Sequence, residues 1–242
     1  MPTIAVFGAG PGLGSAVSRR YAQEGYDVVL IGRSPERLHG LVAELTGLGV
    51  AVHAVAGDLS DPAGVGEIAA HVREASGDPD VLYYAPVSSE VAFVPAAQQS
   101  VATAQTITNL LYLSFVAVVQ EFLPHLLESG SGAILTAQGA SALTGLPGMS
   151  GPGPAAAAQR NYLQSLAAEV GGRGVFVGRL YISSIIGGSA IDQRMQAARA
   201  AGAELPPAAV IPAAELADKL WGMHASFGPN EAVVPDSNPF MS

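Results

Sequence analysis

Short apolar runs of strand length alternate along the chain with longer stretches whose apolar residues recur at helical spacing. The runs at 3–8, 27–32, 50–56 and 80–84, rich in β-branched and aromatic residues, read as buried strands. Residues 13–24 and 35–48 read as the helices between them, with Ser34 placed as an N-cap of the second. The rhythm continues with a helix near 103–127, a strand near 133–137, a helix near 155–170 and a strand at 175–182. Pro212 opens a further helix to about His224, and 231–235 reads as a last strand. Such alternation predicts right-handed βαβ units and so a Rossmann-type, doubly wound α/β fold with a parallel sheet of seven strands. No boundary divides residues 1–235, which form a single domain followed by a tail at 236–242. Residues 184–209 lie beyond the sixth strand, where open α/β sheets bind ligands, and carry Gly187-Gly188, Gly202 and Pro206-Pro207 around a short helical pattern. They form the candidate substrate lid.

Composition narrows the possible partners. Nearly half of the 242 residues are apolar, 49%, and 13% are charged, which suits a sheet covered on both faces or a large subunit interface; a homodimer or homotetramer is expected. A formal charge of −9 repels nucleic acid and anionic lipid. There is no cysteine, which excludes disulfides and thiolate chemistry. Met1-Pro2 leads straight into a strand pattern without a basic or long apolar leader, so a cytoplasmic location is expected. Residues 91–120 carry no charge, yet Gln, Thr, Ser and Asn interrupt them, and they read as a buried helix rather than a membrane span. The five histidines show no metal-ligand spacing and sit away from the strand ends, so no metal site and no Ser-His-Asp triad is expected.

The turn after the first strand is Gly8-Ala9-Gly10-Pro11-Gly12-Leu13-Gly14, opening a helix. Glycines there permit a tight turn, close approach of a pyrophosphate to free N–H groups, and close helix–strand packing. The second strand ends at Ile31-Gly32-Arg33, with no acidic residue to hold a ribose 2′-hydroxyl. Arg33 suits a 2′-phosphate by bidentate, charge-assisted hydrogen bonds, which favours NADP(H) over NAD(H). After the third strand, Asp58 and Leu59 are placed to meet an adenine edge.

With these residues the chain resembles the short-chain dehydrogenase/reductase family over essentially its whole length. Gly8, Gly12 and Gly14 match the family's glycine spacing, Asp58-Leu59 its adenine pair, and Thr108-Asn109-Leu110 its structural and catalytic Asn; Pro124-His125-Leu126 and Ile211-Pro212 continue the likeness. The resemblance implies a cofactor contact at Ala85, a small-molecule substrate and oligomeric assembly. It also implies a Ser after the fifth strand and a Tyr-x-x-x-Lys in the next helix. Here those positions hold Gly139, Pro152 and Ala156, no tyrosine lies between Tyr112 and Tyr162, and Lys219 is the single lysine.

The remaining polar groups near the vacated positions are Tyr83, Tyr84, Gln138, Ser141, Ser150 and Tyr181, with Arg179 and Arg160 as nearby charge. Arg179 reads rather as a surface or interface arginine, and Arg160, which could contact cofactor, rather as an interface residue. Three functions are compatible with this pattern. One is a divergent NADP(H)-dependent oxidoreductase whose proton comes from another donor or water. The others are a catalytically inactive NADP(H)-binding regulator or partner subunit, and a non-redox lyase or cyclase.

Overall fold

In a computed structural model, residues 1–87, 94–204 and 209–235 are described. The tail at 236–242 and the Pro206-Pro207 pair lie outside them. Seven strands, β1 (Thr3–Phe7), β2 (Asp27–Gly32), β3 (Val52–Ala56), β4 (Val81–Tyr84), β5 (Gly132–Gly139), β6 (Val175–Ile182) and β9 (Glu231–Val234), form one sheet in the order β3-β2-β1-β4-β5-β6-β9. Every neighbouring pair is parallel. The expected Rossmann-type sheet is therefore present, and its central strands are largely apolar because both faces are covered. Ile4 and Val6 face one layer, α1 (Leu13–Gln23), α2 (Pro35–Thr46) and α8 (Ala213–Ala225); Ala5 and Phe7 face the other, α3 (Val65–Ser76), α5 (Ser114–Ser129) and α6 (Pro152–Val170).

The order reverses between β1 and β4, which opens a crevice at the carboxyl ends of these strands. Two segments differ from the pattern read in the sequence. The expected helix near 103–127 runs from α4 (Val101–Thr108) through a π turn at Asn109–Leu113 into α5. By length and composition it is apolar enough to cross a membrane, but it is buried on one face alone, through Ile107, Leu110, Phe115, Val118, Phe122 and Leu126. Val101 and Leu113 remain exposed, so the buried helix is half a buried helix. The second is α6, which begins at Pro152 rather than 155, since a proline in the first turn gives up an N–H that has no helical partner anyway. After β6, a small two-stranded parallel ladder, β7 (Ile185–Ile186) with β8 (Val210–Ile211), brackets α7 (Ala190–Ala200).

Between α1, α8 and β6, Tyr21, Tyr26, Trp221, Phe176 and Phe227 surround His224, whose Nδ1 lies 2.9 Å from the Tyr21 hydroxyl. Burial holds the His224 imidazole below its ordinary pKa. The unfolded chain takes up this proton near pH ~6.5 while the folded chain does not, so stability is full above that pH and falls as pH drops below it. Thermal melts from pH 7.5 to 5 should show the decline. In His224→Phe it should be reduced, and an identical decline in the variant would remove His224 as its source.

Candidate functional site

The crevice is built first by the glycine turn. Gly8 and Ala9 both donate to Ile31 O at 3.0 Å, Gly10 N to Gly8 O at 2.7 Å, and Ser15 N to Gly10 O at 3.1 Å. This winds the chain so tightly that a Cβ on Gly14 would stand 2.2 Å from Gly8 O, and Gly12 adopts φ +92°. Gly12 caps α1 without a side chain, and among the described residues the N–H groups of Leu13 and Gly14 have no acceptor. Leu13 itself is buried, so the chain offers an anion two backbone donors at a positive helix end. A pyrophosphate fits that arrangement.

The neighbouring strand ends add the rest of this side of the crevice. Arg33 follows β2, is exposed, and has no ion pair among the described residues. Asp58 is exposed, with Oδ1 accepting from Ser60 N at 2.9 Å. Leu59 is buried in the core, so it can offer a ligand its backbone and not its side chain. Ala85 N donates to Phe7 O at 3.1 Å, and Ala85 O lies 2.9 Å from where a Cβ on Gly8 would sit. The end of β4 thus closes on the turn.

The segment around α7 reaches the same place. Ser189, the N-cap of α7, has its Cα 3.1 Å from where a Cβ on Gly12 would stand. Its Oγ accepts from Asp192 N at 3.2 Å, and buried Asp192 accepts from Gly188 N at 2.8 Å.

On the other side of β4, Asn109 opens the π turn, and its Oδ1 accepts from Gln105 Nε2 at 2.8 Å. A π turn leaves carbonyls short of their usual helical partners. Tyr84 donates to Leu110 O at 2.5 Å, and Gln159, itself held by Gln138, donates to Leu111 O. Gln159 was not singled out from the sequence, although a glutamine in a helical stripe with Ala155, Ala156 and Leu163 is a readable signal of a buried polar partner.

The phenols considered as proton donors are sealed in. Tyr83 and Tyr181 are 0% exposed and Tyr84 is 1% exposed, and burial pushes each hydroxyl above its usual pKa. At Tyr181 the Glu231 carboxylate adds to that rise, and Arg179 and Arg160 do not reverse it. Tyr181 shares a buried cluster with Ala142 and Ala156, with the Arg160 guanidinium 5.8 Å from its ring centre.

Arg179 is a correction to the surface reading. It is 5% exposed, donates to Leu163 O at 3.0 Å, and lies 3.4 Å from Glu231 Oε2. Arg160 Nε meets Glu231 Oε1 at 2.7 Å, so both cations serve one carboxylate. Burial alone would raise the Glu231 pKa, but these arginines hold it below the ordinary range. Gly139 is exposed at the end of β5, Pro152 begins α6 and Ala156 is buried on it. Ser141 and Ser150 line a cavity of about 210 Å³ between the β5–α6 loop and the first turns of α6.

An open, doubly wound sheet with an uncapped glycine turn at its switch point defines a Rossmann fold of the dinucleotide-binding kind. The family profile described as short chain dehydrogenase matches residues 2–196, and the chain belongs to that family of nicotinamide-dependent oxidoreductases. It is 36% identical over 133 residues to 1-deoxy-11-beta-hydroxypentalenate dehydrogenase of Streptomyces avermitilis, a match covering 53% of this chain and 47% of that protein. The chain therefore spans about half the length of such curated relatives. In fold it is similar to L-sorbose reductase from Gluconobacter frateurii, solved with NADPH and L-sorbose, at TM-score 0.83 and 22% identity, covering 100% of this chain and 97% of that one. It is also similar to a short-chain dehydrogenase from Sphingobium yanoikuyae in complex with NADPH, at TM-score 0.80 and 25% identity, covering 98% and 89%.

Proposed function

We propose that the protein is an NADP(H)-binding oxidoreductase of divergent mechanism, whose proton chemistry does not pass through a Tyr–Lys pair. The observation that carries this reading is the uncapped α1 N-terminus, with Leu13 and Gly14 N–H groups that are free among the described residues and, at the next strand end, an Arg33 with no ion pair among them. The glycine turn would hold the pyrophosphate, Arg33 the 2′-phosphate, and Asp58, Leu59 and Ala85 the adenosine and ribose edges. When bound, the nicotinamide supplies or accepts hydride.

In this reading Gly139, Pro152 and Ala156 occupy the positions of the family's Ser, Tyr and Lys, while Asn109 is retained on a π turn braced by Tyr84 and Gln159. Tyr84 and Tyr181 are not the proton donors, because neither hydroxyl reaches the crevice. Water then supplies the proton, and turnover is slower by the roughly 10²–10⁴-fold that a positioned general acid contributes.

Calorimetric titration with NADPH, NADP, NADH and NAD tests the cofactor assignment. Arg33→Ala is expected to weaken NADPH about tenfold or more, the worth of one or two charge-assisted hydrogen bonds, and to leave NADH affinity as it was. Binding of none of the four would sink the reading.

A second reading, an NADP(H)-responsive binding subunit, draws on the sealed phenols and on the lid resting against Gly12. It requires that saturating NADPH change hydrogen exchange across 185–204 or the oligomeric state. In either case the exposed Val101 and Leu113 are candidate contacts of a homodimer or homotetramer. Light scattering measures the assembly directly.

A further inference from the structure

We propose that Ser141 is the hydroxyl that holds the substrate's carbonyl or hydroxyl oxygen in this protein, and that the substrate is an uncharged, largely apolar compound; this rests on the oxidoreductase reading above. Gly139, where family resemblance puts a serine, has φ −64° and ψ 147°. Ser141 Oγ lies 3.5 Å from the point that a Cβ on Gly139 would take. A hydroxyl carried at 139 would sit one bond beyond that Cβ, within hydrogen-bond range of the hydroxyl that Ser141 supplies. The oxygen is displaced along the chain and kept in the same neighbourhood.

The local fold fixes it there. Gly139 pairs with Ile182 at the end of the sheet, and Ala140–Ala142 then turn tightly, with Leu143 N donating to Ala140 O at 2.9 Å. Ser141 O rests 3.4 Å from where a Cβ on Gly153 would be, so the turn is seated on α6. Ser141 is 7% exposed, and the remaining access is to the cavity of about 210 Å³.

The cavity wall selects the ligand's charge. Ser141, Thr144 and Ser150 are its hydroxyls, Leu143, Leu146 and Met149 supply apolar surface, and among the described residues no ionisable side chain lines it. The adjoining helix end has little for an anion, because Pro152 and Pro154 have no N–H and Gly153 N already donates to Met149 O at 3.1 Å. A carboxylate or phosphate placed here would meet hydroxyl donors but no cation among the described lining residues to offset the loss of its hydration. A neutral carbonyl or alcohol gains hydroxyl hydrogen bonds and apolar contact.

Saturation-transfer NMR on the full chain tests this with cyclohexanone and acetophenone as neutral probes and cyclohexanecarboxylate and benzoate as matched anions. The neutral probes are expected to bind and the anions not. Ser141→Ala should weaken the neutral probes roughly five- to tenfold, the worth of one hydrogen bond. Adding Gly139→Ser to Ser141→Ala should recover most of that loss, since the Gly139 backbone accepts a side chain and its nearest neighbour is the hydroxyl just removed.

Failure of both neutral probes, equal binding of the anions, an unaltered Ser141→Ala, or absence of rescue would each overturn the proposal. NADPH affinity measured in parallel by fluorescence separates the two readings. Probe binding that follows Ser141 in a protein that binds no NADPH defeats the oxidoreductase reading and leaves this site standing. NADPH binding with a Ser141-independent probe defeats this inference alone.

Discussion

Gly14→Ala is expected to abolish dinucleotide binding and to lower the melting temperature by roughly 6–12 °C. The added methyl carbon would stand 2.2 Å from Gly8 O, 3.1 Å from Gly8 C and 3.2 Å from Ala9 Cα. All three are backbone atoms, tied to β2 by the Gly8 and Ala9 hydrogen bonds to Ile31 O, so no rotamer can relieve the clash. The turn must open, at a cost of about 3 kcal/mol, the upper part of the range for overpacking. For a chain of this length each kcal/mol shifts the melt by roughly 2–4 °C. The same opening displaces the Leu13 and Gly14 N–H groups from a common anion. Gly10→Ala is the control, because nothing lies within 4 Å of a Cβ there and its φ is not in the left-handed region. A Gly14→Ala protein that melts with the wild type and binds NADPH equally would show that the turn adapts.

The glycine turn was legible because its constraint is local: strand, tight turn and helix follow one another within a dozen residues. The strands were legible for a related reason, since a parallel strand covered on both faces, such as Ile4-Ala5-Val6-Phe7, leaves an unbroken apolar run. The π turn at Asn109–Leu113 was not legible. Its irregular carbonyls are answered by Tyr84 and Gln159, residues distant in sequence, and nothing in the spacing of Asn109 to Leu113 announces those donors. Arg179 was misread as a surface group for the same reason, because its carboxylate partner, Glu231, is brought beside it when β9 pairs with β6. Tyr181 is the instructive case. Standing near the end of β6, it looked available to the crevice, but period-two alternation gives it the direction of Val177 and Arg179, under α6. Strand-end position says how far along a residue sits, while parity says which layer it enters.

That burial makes Tyr181 the wall against which a lysine at 156 would have to fit. Ala156→Lys is expected to destabilise the fold by roughly 3–5 kcal/mol, as an uncompensated buried charge does. Ala156 is 3% exposed in the cluster with Tyr181 and Ala142, and Arg160 one helical turn on, aligned on the same face, adds like-charge repulsion. Tyr181→Ser alone should cost about 3–5 kcal/mol through the cavity it leaves. Combined, the two should cost at least ~1 kcal/mol less than their sum, because the lysine stem then enters the space the ring vacates. Urea unfolding of the four proteins measures the coupling, and strict additivity would mean that the lysine finds another path. With the coupling, replacing Pro152 by Tyr and Ala156 by Lys does not rebuild the family's catalytic pair in this chain. The aromatic ring behind position 156 has to go as well, so in the proposed reading the absence of that pair rests on the packing of β6 against α6 as much as on two side chains.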